Sequence, residues 1–184
     1  MFWRKTVSIG IIVEGLAEMP LDLMDGMMEG ITKDRGMAEK MGWPSDDTKI
    51  FICLSSLFMA NLDSIIKAGI VNIDTRVLSI MQREIPPRSA RLFLTKYNAN
   101  LSEETIVGEQ SKLTKQFIDT WNESLHLPPN PAWYVAKQAG RYFKTKKDEE
   151  MVGLLVTLSQ AQYTNIECVT SSLNELAGRF KIVD

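Results

Sequence analysis

A single histidine and two cysteines are all the soft metal-ligand chemistry that the 184 residues offer. His126 alone excludes any site that needs two imidazoles, and a Ser-His-Asp triad would have to use it. It lies in SLHLPP at an expected helix end, where an imidazole beside the negative terminus is ordinary. Cys53 and Cys168 lack the spacing and companions of a zinc site. Both fall in apolar helical patterns and read as reduced, small hydrophobes. No glycine loop fits a phosphate cradle, because Gly10, Gly15, Gly26 and Gly30 match neither nucleotide pattern. A signal peptide is not expected: the apolar run from Val7 to Val13 is short, and Glu14 and Glu18 follow it. By sequence no stretch approaches the ~20 apolar residues of a membrane span, so the expected location is cytoplasmic. Neither a catalytic residue, a metal site nor a cofactor is expected.

Strong charge of one sign is missing as well. The net charge of −2 argues against a chain that coats nucleic acid through many phosphate contacts. That total hides an uneven distribution. Residues 1–48 carry five basic and nine acidic side chains, and residues 148–184 carry two and six. Residues 82–147 carry eleven basic and six acidic ones. A basic middle therefore lies between acidic ends.

What is present is a helical pattern. KIFICLSSLFMANLDSIIKA places Ile50, Leu54, Leu57, Phe58, Leu62, Ile65 and Ile66 on one helix face. Phe51, Ile52, Cys53 and Met59 extend the apolar surface around the other sides, so this helix, about 46–68, should be central. Ser45, Asp46, Asp47 and Thr48 can cap its start, and Gly69 can stop it. Asn72 or Asp74 starts the next helix, which Pro86-Pro87 should end. The state of Ser89–Tyr97 is left open, and Asn98-Ala99-Asn100 reads as a loop. Ser102 with Glu103 and Glu104 opens a helix to about Leu125, burying Ile106, Leu113, Phe117, Trp121 and Leu125. Asn130 caps one that begins at Pro131. The last runs from Asp148 to about Leu176, with Gly178 as its stop. Its pairs Met151 and Val169, Leu155 and Leu173, and Leu158 and Leu176 keep the period of a straight helix, so it should pack within its own domain.

The expected fold is all-α: one domain over 1–184, with five to seven helices around the central one. Residues 44–184 form its helical core, and 1–43 are less regular and rich in methionine. VSIGIIV, residues 7–13, is either one short strand or the first turns of a helix. From Pro20 to Met41 two short helical pieces are expected, broken near Gly36, with Pro20 in a first turn.

Three clusters invite a functional reading. Glu14, Glu18, Asp22, Asp25 and Glu29 form an acidic stripe if the segment is helical; such carboxylates could share a hard cation, or simply face water. Lys137, Arg141, Lys144, Lys146 and Lys147 stand beside Trp133, Tyr134, Tyr142 and Phe143, with Arg83, Arg88, Arg91 and Lys96 as a second basic group. Bases interleaved with aromatics can hold single strands. The third cluster is the least ordinary: six of the ten methionines lie between Met19 and Met41. Met19, Leu23, Met24, Met27, Met28 and Ile31 would form a re-packable wall for an apolar helix or peptide of a partner. The alternative is that they plug the core edge. The resulting expectation is a non-enzymatic adaptor or chaperone-like protein, as in a component of a larger assembly such as a secretion machine. The alternative function is a nucleic-acid-associated accessory protein using the basic segment 83–147. Nothing in the chain specifies an oligomeric state.

Overall fold

The structure, a computed structural model, describes residues 5–33, 46–69, 71, 73–144 and 148–183. It is 82% helical. A strand, β1 (Lys5–Ser8), leads into α1 (Ile9–Lys33). There follow α2 (Asp47–Lys67), α3 (Thr75–Tyr97), α4 (Glu103–Glu123), α5 (Pro131–Phe143) and α6 (Asp148–Arg179). The closing strand, β2 (Phe180–Val183), pairs parallel with β1, Lys5 opposite Phe180 and Ser8 opposite Val183.

The central helix is the one the apolar pattern marks. Asp46 caps α2 by accepting the Lys49 amide, and Gly69 takes the left-handed φ of +64° that ends it. Every residue from Ile50 to Leu62 is buried, because α1, α3, α4 and α6 all pack on this helix. Its two halves serve two apolar clusters. Ile50, Phe51, Leu54 and Leu57 join Met24 of α1, Phe93 of α3, Phe117 of α4 and Ala139 of α5. Phe58, Leu62 and Ile65 join Val13 and Leu16 of α1, Met81 and Ile85 of α3, and Val169 and Leu173 of α6. By length and composition α2 is apolar enough to cross a membrane, contrary to the expectation from sequence. Yet 78% of its apolar window is buried by the fold's own helices, as in the core helix of a soluble protein.

Asp74, Ser102 and Asn130 each cap the helix they precede, and Pro131 occupies a first turn. Other helix boundaries depart from expectation. Residues 7–13 are neither all strand nor all helix: the strand stops at Ser8, whose hydroxyl accepts the Gly10 amide at 3.2 Å and so starts α1. From there α1 runs unbroken to Lys33, with Pro20 buried in its interior and not in a first turn. The expected break near Gly36 lies outside the described residues. Likewise Pro86 and Pro87 do not end α3, which continues through them to Tyr97. A proline inside a helix removes one backbone donor and costs roughly 3 kcal/mol. Burial on both sides outweighs that cost here, with Leu16, Ala17, Leu21 and Met24 around Pro20, and Met81, Ile85, Ala90 and Phe93 around the proline pair.

Several residues also lie elsewhere than their pattern suggests. Leu125 is exposed beyond the end of α4, Trp121 is half-buried, and Cys168 is exposed, unlike the buried Cys53. Gly178 lies inside α6, which ends one residue later where the chain joins β2. Val169 and Leu173 are buried and Ser172 is exposed, as a straight helix requires, but Asn165 is buried with them.

Candidate binding face on helix α1

Because α1 spans both apolar clusters, its residues divide by height along the axis. Met24 is fully buried and belongs to the core, which removes it from any exposed wall. Leu23, Met27 and Met28 are half-buried against the first cluster, and Met19 against the second. The side chain of Ile31 lies outside the description, as do Met37 and Met41. The methionine stripe is thus one core anchor flanked by residues that keep an outward surface.

The acidic stripe turns out to face one of the basic groups. Helices α1 and α3 run in the same direction, so successive turns of one meet successive turns of the other. Near the start of α1, Arg88 Nη1 donates to Glu14 Oε2 at 2.6 Å. Near its far end, Lys96 Nζ and the Tyr97 hydroxyl both donate to Asp25. Partial burial tends to raise the Asp25 carboxyl, but these two hydrogen bonds outweigh it and hold the group below its usual value of 3.8. Tyr97 shifts the other way: burial and the neighbouring Asp25 carboxylate both push the phenol up. Between these pairs lies a cleft of about 360 Å³ with Glu18 and Asp22 on one wall and Arg91 and Lys96 on the other. Arg91 is already engaged by Glu103 at 3.2 Å. Among the described residues no cluster of three histidines, cysteines or carboxylates is close enough to hold a metal ion.

The basic group of α5 is arranged differently. Lys137, Arg141 and Lys144 are exposed, while Lys146 and Lys147 lie outside the described residues. Lys137 sits over the Trp133 ring at 5.8 Å, and Arg141 reaches Gln138 at 3.4 Å. Trp133, Tyr142 and Phe143 pack on the first apolar cluster, so their ring faces serve the core more than an open stacking platform. The Tyr142 hydroxyl donates to Glu109 at 3.3 Å, and burial pushes that phenol up. His126 is exposed.

Sequence reasoning missed Gln110 as a polar residue of the core. Gln110 is 1% exposed and bonds Ser55 across the α2–α4 interface. Its signal was the seven-residue step from Ile106 to Leu113 in an otherwise four-residue apolar rhythm, a step that Gln110 fills.

The fold and this face define a single all-α domain built on a buried central helix. Compared with protein families, with curated proteins and with solved structures, the chain shows no significant match to any.

Proposed function

We propose that the protein is a non-enzymatic, cytoplasmic adaptor or chaperone-like component that holds an apolar helix or peptide segment of a partner along α1. What supports the reading is the half-burial of Met19, Leu23, Met27 and Met28 around the buried Met24. Methionine is flexible and polarizable, so such a surface accepts differing apolar partners without loss of the fold beneath it. Met24 is the anchor and the flanking residues are the contacts. The partner is a polypeptide, and the acidic and basic side chains bordering α1 would set its orientation more than its affinity.

The test is a triple substitution of Met19, Met27 and Met28 to serine. Its thermal melt should stay near that of the parent protein. A partner recovered from the native host with the parent protein, and identified by mass spectrometry, should then bind the triple variant more weakly by roughly 2 kcal/mol or more. A variant that melts as low as Met24→Ser would make the whole stripe core. Unchanged affinity for the same partner would remove α1 as the contact face.

A further inference from the structure

Residues of α2, α3 and α4, and none of α1, line a cleft of about 280 Å³. Met59, Pro86 and Ile118 supply apolar walls, and Ser111, Thr114, Gln110 and Gln82, whose amide donates to Asp63 at 3.3 Å, supply the polar lining. The hydrogen bonds around Gln110 fix which way its amide points. Ser55 Oγ donates to the Phe51 carbonyl at 2.8 Å, so its one proton is used. It must therefore accept from Gln110, whose Nε2 lies 2.7 Å away. This places the amide nitrogen on Ser55 and leaves Oε1 at the other end, buried and without a partner. Two neighbouring hydroxyls are committed elsewhere: Ser56 Oγ donates to the Gln110 backbone carbonyl at 3.2 Å, and Thr114 Oγ1 to the Ser56 carbonyl at 3.5 Å. A buried acceptor left unpaired is unfavourable, and native proteins keep few of them. The cleft also offers no unpaired charge, since Lys115 at its edge is bound to Asp119 at 2.5 Å.

From these observations we infer that the cleft is a binding site for a small neutral ligand with an apolar body and one N–H donor, of the primary-amide class. The body lies against Met59, Pro86 and Ile118, and the donor completes Gln110 Oε1. The oxygen itself is covered, so binding includes a side-chain movement at the cleft floor. This site is separate from α1 and does not depend on the partner reading above.

Benzamide is the probe, with acetophenone, the same shape without an N–H, as its control. In ¹H–¹⁵N spectra of the full chain, benzamide should shift the Gln110 side-chain amide and the backbone amides of Thr114 and Ile118 saturably. Acetophenone should bind more weakly by about tenfold, the equivalent of one hydrogen bond. Gln110→Met should erase that difference, because it removes the acceptor while Ser55 keeps its bond to Phe51. Ser111→Trp, at an exposed position, should block benzamide while leaving the Gln110–Ser55 pair intact, and it serves if Gln110→Met does not fold. Equal binding of the two probes overturns the inference. So does an absence of shifts up to the solubility of benzamide, as when a bound water alone satisfies Oε1.

Discussion

The Tyr97 hydroxyl donates to the Asp25 carboxylate across 72 positions of sequence, tying the last turn of α3 to α1. The same tyrosine ring stacks on Phe93 at 5.1 Å, and Phe93 stacks on Phe51 of the central helix at 4.3 Å. An exposed ion cluster is thereby joined to the core through three rings.

Acid should weaken this end of the α1–α3 interface. Asp25 is held below 3.8 in the folded chain, so its contribution is present above that value and is lost as pH falls through the folded pKa. The side chain is 37% exposed, and solvent screening keeps the effect below about 1 kcal/mol. Urea midpoints at about pH 7 and about pH 3, which bracket the free carboxyl, should differ less in Asp25→Asn than in the parent protein. Tyr97, pushed up, contributes in the opposite range: its share is complete below about pH 10 and lost as pH rises further.

Phe93→Ala should be among the most damaging single changes, costing about 3–5 kcal/mol in urea unfolding. Phe93 is fully buried, and its ring lies nearly parallel to that of Phe51, 7° apart. A double-mutant cycle between the two should give a coupling of roughly 0.5–1.5 kcal/mol beyond simple burial.

Met24→Ala should cost about 2–5 kcal/mol, since its side chain is fully enclosed. Met27→Ala should cost clearly less, because part of its side chain stays exposed in the folded chain and contributes no burial. Equal losses in denaturant titrations would mean that Met27 is as much core as Met24.

Replacing Pro86 and Pro87 together by alanine should stabilise α3. The change restores two backbone donors in a helix interior where proline costs roughly 3 kcal/mol. Against this stands about 0.4–1 kcal/mol per proline from the stiffer unfolded chain. The net gain should raise the urea midpoint; a lower midpoint would mean that the two rings themselves are needed for packing.

Amide hydrogens of β1 and β2 should exchange much faster than those of Leu54 to Leu62. A two-stranded ribbon is marginal by itself, whereas α2 is covered on every side. Equal protection would show that the paired strands open only with the whole fold.

Local chemistry determined the helices and most of their starts. Asp46, Asp74, Ser102 and Asn130 act through amides two or three residues away, and the apolar rhythm of α2 requires burial whatever covers it. Only the tertiary structure decided where helices do not stop. Pro20 and Pro86 are local breaking signals of up to about 3 kcal/mol, and packing on both flanks outweighs them. The pairing of β1 with β2 was likewise illegible, because it joins segments about as far apart as the described chain allows and has no local pattern. The same holds for the charges: the acidic stripe of α1 and the bases of α3 read separately as surfaces, and the parallel packing of the two helices makes them partners. Of the candidate wall, composition marked the methionines, but burial alone separated Met24 from Met19, Met27 and Met28, since depth depends on neighbours that no short stretch contains.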